Sequence, residues 1–119
     1  MSISQKAYVR RIIKHYIQQG HNRLHLGCCY GADTEVFEMF KDKISVVAHP
    51  CNIVKWTNND IVDNADFVYP VVSPLARNRR IVQLSLVLIA TPHVSEESLG
   101  TQYTIQYAMN HNVFFHIAL

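Results

Sequence analysis

The sequence predicts a small single-domain α/β fold of three layers, with helices covering a mostly parallel sheet of about five strands. Three observations carry that reading. Short apolar runs of strand length alternate with segments whose apolar residues recur at helical spacing. Gly, Pro and Asn punctuate the joins between them. The length, 119 residues, suits one core and one domain over residues 1–119.

The first helix starts at a Ser2 or Ser4 cap. Tyr8, Val9, Ile12, Ile13, Tyr16 and Ile17 form its apolar side, with Lys6, Arg10, Arg11 and Lys14 opposite. Gly20 stops it, because glycine takes a left-handed C′ conformation at little cost. The basic face reads first as a solvated surface and second as a nucleic-acid face. Arg23 to Gly27 is a short strand, and Cys28 to Asp33 is the turn after it. A helix follows from about Thr34, with Val36, Phe37 and Phe40 on one side.

Ile44 to Ala48 is the second strand, ended by His49-Pro50. The polar stretch Asn52 to Asn64 has room for a short helix. Asp66 to Tyr69 is a third strand, stopped by Pro70 and Pro74. Ala76 to Leu84 reads as a helix. Leu86 to Pro92 is an apolar strand followed by a polar loop, His93 to Ser98. Gly100-Thr101 then leads into a helix over Tyr103 to Met109. Asn110 to Asn112 turn the chain into a last strand, Val113 to Ile117. The strands Leu24 to Gly27 and Leu86 to Pro92 are expected side by side, their glycine-bearing loops facing one crevice.

Composition narrows the function classes. The formal net charge is +2, far from the balance of a dedicated nucleic-acid binder, so nucleic acid is a disfavoured partner. The N-terminal segment lacks the apolar core of a signal peptide. No apolar run approaches the ~18 residues of a membrane span, so no membrane partner is expected. The three cysteines are odd in number and form no paired CxxC pattern, which points to a reduced, cytoplasmic setting. His21 and His25 run from a turn into a strand and do not form a helical metal-ligand pair, so no metal and no cofactor is expected.

The candidate chemistry gathers at two strand ends. Gly27 and Gly31 let the backbone turn tightly and let a ligand approach, and the helix start beyond them favours an anion or a polar nucleotide group. Arg77, Arg79 and Arg80 crowd a helix start, where cations oppose the dipole and call for compensation by a bound phosphate or a salt bridge. Arg77 is the ligand-facing candidate; Arg80 is expected in solvent or paired with a carboxylate. Asn78 has two readings, a tie between loops and a ligand contact. Cys28 and Cys29 read as small buried groups, with a nucleophile activated by His49 as the minority reading. Asp33 reads as a helix cap, and Glu96 and Glu97 as part of a solvated loop.

The segment Leu26-Gly27-Cys28-Cys29-Tyr30-Gly31-Ala32-Asp33 resembles the G-x-x-x-GAD turn of the SLOG superfamily. That group includes the Rossmann domains of the Smf/DNA-processing protein A type and the LOG, or "lysine decarboxylase-like", phosphoribohydrolases. Arg77-Asn78-Arg79-Arg80-Ile81-Val82 is similar to its RNR-[IL]-[IV] segment. Leu88 to Pro92, with Gly100-Thr101-Gln102-Tyr103-Thr104-Ile105-Gln106-Tyr107-Ala108, is similar to its LIA-x-P and GT-x-x-TI-x-x-A segments.

The resemblance implies a Rossmann-like sheet and a nucleotide-derived ligand held over the carboxyl ends of its strands. It implies one lip of the pocket at Gly27, Cys28, Tyr30, Gly31 and Asp33, and a second at Pro92, Gly100 and Thr101. Ser73, Arg77 and Asn78 would lie between. The departures matter as much. Thr104 stands where the LOG hydrolases carry a catalytic Glu, and threonine cannot serve as a carboxylate acid or base. Gln102 stands where relatives often carry Trp, leaving Tyr30 or Tyr103 as stacking candidates.

The expected function is therefore binding of an ADP-ribose-type or cyclic nucleotide, for sensing or sequestration, rather than catalysis. One concrete form is a phage-type protein that sequesters a defence signal. A nucleotide N-glycosidase or deoxyribosyltransferase-like hydrolase, using Asp33 or Glu96, is the alternative, and single-stranded DNA binding is the third. A homo-oligomer is expected, because the apolar side of a small sheet invites self-association.

Overall fold

A computed structural model describes residues 1–92 and 99–119, and the chain starts it with a double cap. The Ser2 hydroxyl accepts the Gln5 amide at 3.1 Å, and the Ser2 amide donates back to the Gln5 side chain at 2.9 Å. This capping box opens α1 (Ile3–Gln18). Gly20, at φ +97°, turns the chain out of it as expected. Val9 and Ile13 are the buried apolar residues of its inner face.

The other elements follow in the expected order, with most bounds shifted by a residue or two and the last helix starting four residues earlier than expected. They are β1 (Arg23–Leu26), α2 (Ala32–Phe40), β2 (Ser45–Ala48), a 3-10 turn (Val54–Trp56), α3 (Asn59–Asn64), β3 (Phe67–Val68), α4 (Pro74–Leu84), β4 (Val87–Ala90), α5 (Leu99–Asn110) and β5 (Phe114–Ile117). The third strand is shorter than expected, although the backbone amides of Asp66 and Tyr69 at its two ends still donate to Val46 O at 2.9 Å and Ala48 O at 3.0 Å, and the Asp66 carboxylate takes the Val46 amide at 2.8 Å. The second departure concerns Gly100 and Thr101. They lie inside the first turn of α5 rather than in a loop before it.

The strands are parallel, as expected, but they form two sheets and not one of five strands. One has the order β1-β2-β3, with Arg23 opposite Ser45 through Leu26 opposite Ala48. The other is β4-β5, with Val87 opposite Phe114 through Ala90 opposite Ile117. The pairing expected between β1 and β4 is replaced by a cavity of about 520 Å³. Four consecutive residues of β1, Arg23 to Leu26, line it, as do Leu86 to Ile89. Consecutive residues alternate between the faces of a strand, so a wall containing all of them is a strand edge. Val9, Ile13 and Ile17 of α1 and Ile81 and Leu84 of α4 close the same space.

Side chains join the two sheets. The larger core gathers Val9, Ile13, Leu26, Val36, Phe37, Phe40, Val46 and Ile61, and Ile89 of β4 packs against it. A smaller core under β4 joins Val82, Leu88 and Ala108. Gln5 adds a polar pin. It is 5% exposed, and its amide nitrogen donates to the carbonyls of Pro92 at 2.8 Å and Ala118 at 3.0 Å. The pin fastens α1 to the segments that follow β4 and β5.

Gln5→Ala removes that pin and leaves two carbonyls short of a donor, one inside the core. Loss of about 1–3 kcal/mol is expected from urea denaturation. An unchanged midpoint would show that the pin contributes nothing.

Candidate functional site

The turn after β1 is held from three sides. Gly27 is buried, and a Cβ there would stand 2.9 Å from Arg77 Nη1 and 3.0 Å from Asp33 Oδ2. Glycine leaves that space to the two side-chain ends, which any Cβ would displace. Cys28 follows at φ +63° and Gly31 at φ +92°, so the backbone takes a left-handed step at each. The turn is then zipped to the segment before α3. Asn58 N donates to Cys28 O at 2.7 Å and Tyr30 N to Trp56 O at 3.3 Å, about an antiparallel bridge of Cys29 with Thr57.

Asp33 does not cap α2. Gly31 is the N-cap and supplies no side chain. The Asp33 carboxylate instead accepts the Cys29 amide at 3.0 Å, back across the turn. Burial pushes its pKa up from the usual carboxylate range, with the Cys29 amide, the Arg77 charge and the Gly27 amide pulling the other way. Thr34 completes the turn by donating its hydroxyl to Cys29 O at 3.0 Å and accepting from Asn58 at 2.9 Å.

Arg77 comes from α4, whose first turn is capped by the Ser73 hydroxyl on Ala76 N at 3.4 Å. Arg77 is 6% exposed. Its Nη1 donates to the Gly27 carbonyl and faces Cys29 Sγ at 3.6 Å, and its Nε donates to Asn78 Oδ1 at 2.7 Å. The Asn78 amide nitrogen in turn lies 3.9 Å from where a Gly100 Cβ would be. Asn78 thus lies near Gly100, while the Arg77 guanidinium is engaged by the Gly27 turn itself.

The remaining expected residues divide between fold and surface. Ser73 caps α4, and the Pro92 carbonyl is taken by Gln5. Tyr30 and Gly31 are exposed on the rim, and Thr101 is half-buried. Tyr103 is tied by its hydroxyl to Arg79 at 3.1 Å. The Thr104 hydroxyl donates to Gly100 O at 2.8 Å, a local helix contact. Glu96 and Glu97 lie outside the described residues. Burial raises the pKa of Cys28 to about 12 and raises that of Cys29 as well, so neither thiol is held as a thiolate.

Sequence reasoning missed a polar network on the α4 side of β1 and β2. Arg80 meets no carboxylate among the described residues. Its Nε donates to His49 Nδ1 at 2.9 Å and its Nη1 to Pro70 O at 2.9 Å, while Nη2 is buried without a partner among the described residues. His49 is fully buried, and its Nε2 meets His25 Nδ1 at 2.8 Å. Tyr69 stacks on His49 with centroids 4.8 Å apart and planes 7° from parallel, and the Arg80 guanidinium lies 5.2 Å from the Tyr69 ring centre. Both His49 nitrogens are engaged, which removes it as a base for Cys28. Alternation along the strands was the available signal, since it puts His25, Val47 and His49 on one face.

The cavity between the sheets reaches this region. Asp33 and Thr91 line it beyond the carboxyl ends of β1 and β4, and His25 and Tyr69 line its α4 side. Its volume lies in the ~300–1,000 Å³ range of small-molecule sites. Comparison with family models, curated proteins and solved structures gives no match to this chain.

Two outcomes follow from this geometry. Gly27→Ala forces Arg77 or Asp33 aside and should cost about 1–3 kcal/mol in a denaturant titration. The second concerns acid. Burial, then the charges of His25, Arg80 and Arg77, push His49 down to about 3 from an ordinary value of 6.5. Burial and Arg23 push His25 the same way. Between those values the unfolded chain binds more protons, so stability is complete above about pH 6.5 and is lost as pH falls toward 3. Urea midpoints should drop across that window, and His49→Phe should flatten the slope; a flat wild-type profile would contradict the assignment.

Proposed function

We propose that this chain binds a nucleotide-derived small molecule over the carboxyl ends of β1 and β4, and acts by sensing or sequestering it in the cytoplasm. The observation that carries the reading is the cavity between β1 and β4, which reaches Asp33 and Thr91 beyond the carboxyl ends of those strands. Chain connections run from β1 to β2 and from β4 to β5, each within its own parallel sheet, and the carboxyl ends of parallel strands are where α/β folds receive ligands. Three features support it there. The Gly27–Gly31 turn brings backbone close to the site, and α2 starts beside it with its free amides. Asp33 offers an acceptor for ribose hydroxyls. Arg77 is bound to the turn, and Asn78 beside it lies near Gly100 at the start of α5. The resemblance of these segments to the SLOG motifs points the same way.

Binding rather than turnover is favoured by Thr104, whose hydroxyl is committed to a helix carbonyl at the place where a hydrolase would need a carboxylate. The hydrolase reading has one observation of its own, the raised pKa of Asp33, which suits a general acid. Self-association is supported by apolar side chains exposed on the outer strands, Phe67 and Val68 on β3 and Phe114 and Ile117 on β5.

Mass spectrometry of the denatured, freshly purified chain should release a nucleotide-class molecule. A panel of AMP, ADP-ribose and cyclic nucleotides should raise the thermal midpoint, a ligand at 100 times its Kd adding about 2.7 kcal/mol. No retained molecule and no shift across the panel would end this reading. Base release from nucleoside monophosphates that Asp33→Asn abolishes would move the function to the hydrolase.

A further inference from the structure

The cavity between the sheets has an unusual distribution of chemistry. Its two long walls are strand edges, because β1 pairs only with β2 and β4 only with β5 among the described residues. Such edges present backbone N–H and C=O groups in the plane of the sheets. Above and below that plane Val9, Ile13 and Ile17 from α1 and Ile81 and Leu84 from α4 supply apolar surface, with His25 and Tyr69 adding polar groups on the α4 side and Tyr16, Gln19 and His21 at the far end of α1. Apolar surface above and below, polar strand edges around it and a few placed polar side chains suit a flat heterocycle with polar edges and apolar faces.

One side chain adds direction. Arg80 Nε can only donate, so His49 Nδ1 accepts. Neutral His49 then carries its proton on Nε2 and donates it to His25 Nδ1. With Nδ1 accepting, His25 keeps its own proton on Nε2. Leu24 and Leu26, its neighbours on β1, pack with the larger core, so His25 faces the α4 side, where Tyr69 and Ile81 also line the cavity. His25 Nε2 has no partner among the described residues. The stacked Tyr69 and the Arg80 guanidinium over it hold the relay in place.

We propose that the cavity between β1 and β4 takes a planar heterocycle of the nucleobase class, with its polar rim toward the free strand edges and the His25 Nε2 proton donated to one of its acceptors. This rests on the nucleotide reading and extends it. The base enters between the sheets, while the sugar and phosphate stay at the mouth near Asp33 and the Gly27–Gly31 turn. Arg80 and His49 are positioning residues, since they act through His25. The competing arrangement is direct pairing of β1 with β4, which leaves no room for a base.

The test titrates the full chain with adenine, hypoxanthine and their 5′-monophosphates. Calorimetry reads affinity, and long-range 1H–15N spectra read the histidine rings. In the free chain both His25 and His49 should carry the proton on Nε2. Free bases should bind more weakly than the monophosphates, and both should move the His25 Nε2 resonance. His25→Phe should weaken binding about tenfold, as expected for one lost hydrogen bond. His25→Gln should restore most of it, because its amide has an acceptor for His49 and a donor for the base. Binding of monophosphates with no binding of free bases and an unmoved His25 resonance would overturn this inference and leave the nucleotide reading standing. A His25 proton on Nδ1 would also overturn it. Failure of every probe to bind would remove both. Should His25→Phe not fold, the wild-type ring resonances decide the matter alone.

Discussion

Arg77 leaves α4 and gives its Nη1 proton to the carbonyl of Gly27, well away from water, and much of the molecule is arranged so that this bond can exist. A buried guanidinium is costly unless nearly all of its donors are satisfied. Here the acceptors are a glycine carbonyl, the Asn78 side chain and a cysteine sulfur, with the Asp33 carboxylate near enough to feel the charge. Glycine at position 27 gives the guanidinium and the carboxylate the space that a Cβ would take. The left-handed step at Cys28, the bridge of Cys29 to Thr57 and the return of Asn58 to Cys28 then follow as ways of holding the turn under that contact.

The same bond separates what the sequence could tell from what it could not. Apolar periodicity is local, so the order and type of nearly every element were legible from residues such as Val9 and Ile13 or Val87 and Leu88. Ser73 before Pro74 and Gly20 after α1 marked helix ends by side-chain and backbone rules that act within a few residues. Arg77 was singled out for its place at a helix start, but its partner lies fifty residues away in sequence, and nothing local could tell a carbonyl of the fold from a bound phosphate. The divided sheet was beyond reach for a related reason. Which strand edges meet depends on backbone positions set by the whole packing, and not on side-chain pattern.

Polar residues show the contrast again. Asp33 was read as a cap because aspartate before a helix commonly caps it, yet a glycine took the cap and freed the carboxylate to reach back to Cys29. Asp66, at the strand end, pairs with Val46 twice, by its own amide and by its carboxylate. His25 and His49 were scattered histidines in the sequence. They became a pair through the parallel register of β1 with β2, and a directed one only because Arg80 cannot accept a proton. Asp33 trades one local hydrogen bond for another, while Asp66 and the histidines take partners that tertiary structure supplies.

Gln5 carries a consequence for how the molecule is made. Its amide bonds to Ala118, 113 residues later, and to Pro92, 87 residues later. The first helix can form early through its capping box, which is local. Its docking is different, because the acceptors that fix it lie 87 and 113 residues further along the chain. Val9 and Ile13 share a core with Leu26, Val36, Phe37 and Phe40, so α1 can cover its apolar face against β1 and α2 before those acceptors are in place. Closing the pin is a long-range event, and such contacts are gained after the local ones. The first helix is thus gathered early by its near neighbours and locked late by the segments beyond β4 and β5.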